Sequence, residues 1–119
     1  MKLIQKRFFL GKREFELSDN EIHVQIINFF SKKELVIPLV ILNPIPIRNK
    51  NELDFHSRVK CGPLFSFYIN KPSLKEFELF TEALSQKAEQ AYNSFTGIKW
   101  KMNLMEIKSY HKDHQKELL

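Results

Sequence analysis

The chain has 119 residues, 43% hydrophobic and 28% charged, with a formal net charge of +5; this balance suits one globular domain and excludes a disordered chain. A single cysteine, Cys61, rules out an internal disulfide and fits a reducing compartment. Gly11, Gly62 and Gly97 are too far apart to write either glycine-rich phosphate loop, and no nucleophile elbow occurs, so the chain reads as non-enzymatic.

In chain order, MKLIQKRFFLGKREF is basic but lacks the apolar run of about 7 to 15 residues that a signal-peptide core needs, so the expected location is the cytoplasm. From Phe15 to Ile26, apolar residues alternate with polar ones around Ser18-Asp19-Asn20, which predicts a β-hairpin. The doubled Ile26-Ile27 predicts a central strand, either bulged or covered on both sides. Ser31-Lys32-Lys33-Glu34 then separates this strand from Leu35–Leu42, whose Pro38 cannot donate to a ladder and belongs at an edge or bulge. That stretch is far short of the roughly 20 apolar residues that cross a bilayer as a helix. Asn43-Pro44-Ile45-Pro46 forces an extended, non-helical connection.

After Asn49-Lys50-Asn51, alternation over ELDFHSRVK predicts a half-buried strand, with Leu53, Phe55, Ser57 and Val59 on one face and Asp54, His56, Arg58 and Lys60 on the other. Cys61-Gly62-Pro63 supplies turn chemistry, and Phe65, Phe67 and Ile69 complete a second hairpin. Phe55, Phe65 and Phe67 are expected in the core. Ser73-Leu74-Lys75-Glu76 is a capping box that starts a helix. Its stripe of Phe77, Phe80, Leu84, Ala88, Ala91 and Phe95 suits packing on a sheet, with an end near Asn93 and Gly97 as a left-handed cap. Residues 1–97 form the expected domain. Residues 98–119 form a C-terminal extension, strand or helix, with a frayed end; the alternation of Ile98, Trp100, Met102 and Leu104 suits an edge strand.

Hairpins followed by one terminal amphipathic helix, in the order NEIHVQIINFFSKKELVIPLVIL then LDFHSRVKCGPLFSFYINKPSLKEFELFTEAL, resemble the bacterial pleckstrin-homology-like (PH-like) domains over about residues 7 to 95. The resemblance implies an α+β fold: a bent antiparallel sheet or split barrel of six to seven strands capped by one C-terminal amphipathic helix. It implies a scaffold for binding proteins, peptides or lipid head groups. Lys12 and Arg13 stand at the start of the basic pattern that lipid-binding members carry, whereas the following strand offers His23 and Gln25.

Among candidate chemistries, the His111-Lys112-Asp113-His114 cluster lacks a third histidine or cysteine nearby, so no metal or cofactor is expected. The leading expectation is a binding module acting through a protein partner or a second copy, by strand addition or through Trp100 between Lys99 and Lys101. The alternatives are peripheral attachment to an anionic membrane surface through Lys6, Arg7, Lys12 and Arg13, and nucleic-acid binding through Arg58 and Lys60.

Overall fold

Alternation of apolar and polar residues carries the first third of the chain into an antiparallel meander. The computed structural model describes residues 1–7 and 11–114, with side chains in the final helix as far as residue 96. β1 (Lys2–Arg7), β2 (Gly11–Leu17), β3 (Glu21–Ile27) and β4 (Lys32–Pro38) pair in sequence order. Leu3, Phe15, Val24 and Leu35 stand opposite one another across the four strands, as do Leu17, Ile22 and Ile37. The two-residue period therefore turns both rows to the inner face, where all but the half-buried Leu35 are buried.

The Ser18–Asn20 turn lies where the alternation predicts it, closed by the Ser18 N–H and hydroxyl, which donate to the Glu21 carbonyl at 3.0 and 2.9 Å. β3 is internal, as Ile26-Ile27 predicts, and its pairing with both neighbours is unbroken. The following turn comes earlier than expected. Asn28 donates its N–H to the Ser31 carbonyl at 2.8 Å, and Lys32, Lys33 and Glu34 enter β4 instead of forming the turn. Pro38 ends β4 at the sheet edge, where a missing N–H costs least. The chain then tightens into a 3-10 turn, Leu39–Ile41, that tucks Leu39 and Leu42 into the core.

β5 (Ile47–Asn49), β6 (Glu52–His56) and β7 (Pro63–Tyr68) form a second antiparallel sheet in that order. β1 and β5 are strands that the sequence reading did not place. The strand expected from Leu53 to Lys60 stops at His56, because the Ser57 hydroxyl accepts the N–H groups of Val59 and Lys60 at 3.0 and 3.2 Å and turns the chain. Backbone groups beyond His56 pair with the end of the 3-10 turn instead: Arg58 N–H donates to the Ile41 carbonyl at 2.7 Å. Val59, expected on the buried face, is exposed.

The Ser73 capping signal starts α1 (Leu74–His114): the Ser73 Oγ accepts the Glu76 N–H at 3.2 Å, and the Ser73 hydroxyl donates to the Glu76 carboxylate. Phe77, Phe80, Leu84 and Ala88 are buried and Ala91 is half-buried, but Phe95, the last member of the stripe, is exposed. The helix does not stop near Asn93, and Gly97 lies inside it, so Ile98–Leu104 is helical and provides no edge strand. A glycine in a helix interior costs only about 1 kcal/mol, and the strong helix formers Lys99, Lys101, Met102, Leu104 and Met105 follow it. The side chains of Trp100, His111 and His114 lie outside the described residues, as does the end of the chain from residue 115.

The core between the sheets and α1 is built from phenylalanine. Phe15 stacks on Phe67 with centroids 4.1 Å apart, Phe80 meets Phe67 at 5.8 Å, and Phe55 stacks on Phe65 at 5.7 Å. The two sheets do not close into a barrel. They meet where Gln5, fully buried in β1, donates its amide to the carbonyls of Tyr68 and Lys71 and accepts the Tyr68 N–H, each at 2.7 Å. The described residues thus form an α+β fold of seven antiparallel strands in two sheets with one C-terminal helix.

Candidate functional site: a cationic end

The up-and-down path of the strands delivers the end of β1, the start of β2, the β3–β4 and β5–β6 connections and the β7–α1 link to one end of the molecule. The register places Lys6 opposite Lys12, Lys12 opposite Ile27, and Ile27 opposite Lys32, in one row across all four strands. This row lies on the outer face, because the alternating rows beside it hold the core. Like charges directly opposite each other destabilise a sheet, and here Lys6 faces Lys12 next to the open end. Lys12 is relieved by Glu14 at 3.1 Å and Lys32 by Glu34 at 3.1 Å.

Gly11 anchors this corner. Its φ of +101° suits only glycine, and a Cβ there would lie 1.9 Å from the Ile27 carbonyl oxygen, so no other residue lets β2 approach β3 this closely.

The second sheet adds cations from distant parts of the chain. Three concavities adjoin at this end. One of about 660 Å³ is lined by Lys6, Arg7, Gly11, Lys12 and Lys71. A second, of about 390 Å³, shares Arg7 and Lys71 with it and adds Arg48 and Tyr68. The third brings Lys50 beside Arg7. Among the described residues, Lys6, Arg7, Arg48, Lys50 and Lys71 take part in no ion pair, so their charge is left for a partner. Two residues of this rim have left-handed backbone, Asn70 at φ 63° and Lys50 at φ 56°. Asparagine tolerates that conformation; lysine does not favour it.

Tyr68 sits among cations: Arg13 lies 4.0 Å from its ring centroid, Arg7 at 5.6 Å and Lys71 at 5.9 Å. The candidate residues from the sequence divide here. Lys6, Arg7 and Lys12 converge on the open end. Arg13 approaches it but is already engaged, donating to the Ser66 carbonyl at 2.9 Å and pairing with Glu52 at 2.7 Å, so it ties the first sheet to the second. Arg58 and Lys60 belong to the loop beyond β6, at the opposite end of that strand.

No family model, curated protein or solved structure matches this chain.

The chemistry available at the cationic end is anion recognition. Among the described residues no helix is long and apolar enough to cross a membrane, and no group of three or more histidine, cysteine or acidic side chains is placed to hold a metal. Cys61 is exposed in the loop between β6 and β7. The sequence reading missed Arg48, Lys50, Tyr68 and Lys71. They come from two segments far from Arg7 in sequence, and the meeting of the two sheets through Gln5 and Arg13 brings them to it. The visible signal was weaker: three of them flank asparagine-rich turns, which the hairpin pattern sends to strand ends.

Proposed function

We propose that this chain is a non-enzymatic, PH-like binding module that docks its cationic end on an anionic membrane surface from the cytoplasmic side. The PH-like reading is supported by the element order of four strands, then three strands, then one C-terminal helix. The membrane reading rests on one observation: cations from five segments meet at one end, and the acids nearest them, Glu14, Glu34 and Glu52, are each already paired with a cation. An extended anionic surface satisfies a spread-out set of charges of this kind better than a single compact ligand does.

Two other partners fit less well. Strand addition by a protein or a second copy has the outer edge of β4 available, but Lys32, Lys33 and Pro38 along that edge are devices by which sheets discourage pairing. Nucleic acid needs flat aromatic faces beside the cations, but Phe55, Phe65 and Phe67 are buried in the core, Arg13 covers Tyr68, and the exposed Phe29 and Phe30 are set edge to face at 79°.

The test is co-sedimentation with vesicles containing about 30 mol% phosphatidylserine. At about 1 kcal/mol per cation near an anionic surface, Lys6→Ala with Lys12→Ala weakens binding about 30-fold. Raising the ionic strength from about 0.1 M to about 1 M weakens the wild type as well. Binding unchanged by both manipulations would sink this function.

A further inference from the structure

We infer that the Phe29-Phe30 pair at the β3–β4 tip inserts into the bilayer interface, so that the cationic end holds the membrane by an aromatic wedge as well as by charge. This inference rests on the membrane reading above.

The two rings are 82% and 94% exposed, the most exposed of the large apolar residues described. A hairpin connection of Asn28 to Ser31 needs polar or glycine residues for its turn and has no use for two phenylalanines. Among the described aromatic residues each pairs with the other, edge to face, with centroids 4.7 Å apart. Neither joins the core. Two adjacent rings left in water on a turn are costly to the free protein, and that cost is recovered where apolar surface meets them.

Their neighbours identify that surface. Lys32 and Lys33 follow the turn directly, and the row Lys6, Lys12, Ile27, Lys32 runs across the sheet just behind it. Neighbouring strands lie about 4.8 Å apart, so the four-strand row spans about 14 Å. The rings thus project from a collar of lysines at the free end of the sheet, in the order in which a bilayer presents its own layers: anionic head groups outside, apolar chains beneath. A base-stacking platform would present one flat face, whereas the interplanar angle of 79° turns one ring's edge toward the other.

Two measurements test insertion separately from charge. The first compares wild type with Phe29→Ser/Phe30→Ser on phosphatidylserine vesicles. Both rings are exposed, so the thermal midpoint of the variant stays that of the wild type. At low salt the variant still sediments with vesicles but about tenfold or more weaker, and at about 1 M salt, where the charge term is screened, it loses the residual binding that the wild type keeps. The second places Phe30→Trp in a Trp100→Phe background, leaving one indole at the tip. Its emission shifts to the blue on vesicles and is quenched by lipids brominated high on the acyl chain.

Sedimentation without a blue shift, together with unaltered binding of the serine variant, would overturn insertion and leave the electrostatic reading standing. No sedimentation of the wild type would remove both. A tip tryptophan that responds to single-stranded RNA and not to vesicles would assign the rings to base stacking and overturn the proposal.

Discussion

The two ends of this molecule use the same kinds of side chain to opposite effect. At the end where β6 runs out, Arg58 donates its Nε to the Leu42 carbonyl at 3.0 Å and lays its guanidinium 3.9 Å from the Tyr92 ring, while Lys87 reaches Asp19 at 3.0 Å. These cations clamp the 3-10 region and the first sheet to α1. At the other end Lys6, Arg7, Arg48, Lys50 and Lys71 find no acid among the described residues. Arg58 and Lys87 are held at close range by a carbonyl, a ring or a carboxylate and serve the fold. The cations of the other end share looser contacts, Arg7 and Lys71 at 5.6 and 5.9 Å from the Tyr68 ring and Arg48 at 3.3 Å from the Lys50 carbonyl, and carry charge that no carboxylate among the described residues pairs. Arg13 marks the boundary, since it stands among the second group and bonds like the first.

The most disruptive way to break the comparison is to remove the core that both ends share. Phe67→Ala deletes a fully buried ring in contact with Phe15, Phe65 and Phe80, and is expected to cost about 3–5 kcal/mol in urea unfolding. Such a loss is a large share of a domain's total stability and would weaken both ends together.

A smaller effect, confined to the cationic end, is expected from Gly11→Ala. The added methyl meets the Ile27 carbonyl and the backbone must leave a positive φ, for a loss of about 2 kcal/mol in stability. Gln5→Leu acts at the joint between the sheets and strands the Tyr68 N–H and two carbonyls, at a cost of about 1–3 kcal/mol. Amide exchange would show the β1–β7 corner opening first in both variants; exchange that quickens instead around Arg58 and Tyr92 would show that the ends are not independent.

Exchanging the roles of two arginines sharpens the contrast. Arg58→Ala is expected to lower stability by about 1 kcal/mol, through the lost carbonyl bond and ring contact, and to leave vesicle binding unchanged. Arg7→Ala is expected to do the reverse: stability within about 0.5 kcal/mol of wild type and vesicle affinity reduced about fivefold. A chemical melt and a sedimentation assay on each variant fill all four cells of that comparison.

Much of this division lay beyond the sequence for a physical reason. Period-2 alternation from Phe15 to Ile26 and from Phe65 to Phe67 displays which face is buried, because burial acts on every second residue, whereas from Leu53 to Lys60 it misleads, with Asp54 buried beside Phe55 and Val59 exposed. The Ser73 cap and the stripe from Phe77 to Ala88 are local in the same way as the first two stretches. Lys6, Arg7 and Lys12 were legible as a basic segment. Arg48, Lys50 and Lys71 were not, since no local pattern says that the β5–β6 turn and the end of β7 will close on β1. The buried Gln5 and the bridging Arg13 decide that, and a glutamine between Ile4 and Lys6 reads as an ordinary surface residue. Arg58 failed in the other direction: its alternation with Val59 suggested a solvated strand face, but the Ser57 hydroxyl turned the chain and delivered the guanidinium to Tyr92.

The finest test of the contrast is Lys50→Asn. Lys50 occupies a left-handed conformation at φ 56° in the turn between β5 and β6, where asparagine is at ease and lysine is strained. If this position served only the fold, the substitution would improve it without consequence. Placed at the cationic end, Lys50 is expected to trade stability for charge: Lys50→Asn should raise stability by about 0.5 kcal/mol and lower vesicle affinity about fivefold. The opposite signs are the informative feature, because damage to the fold would lower both quantities and a neutral surface change would move neither. Lys50→Gly separates the causes further. It gives the same relief of backbone strain with no side chain, so an affinity loss equal to that of Lys50→Asn assigns the binding contribution to the ammonium group.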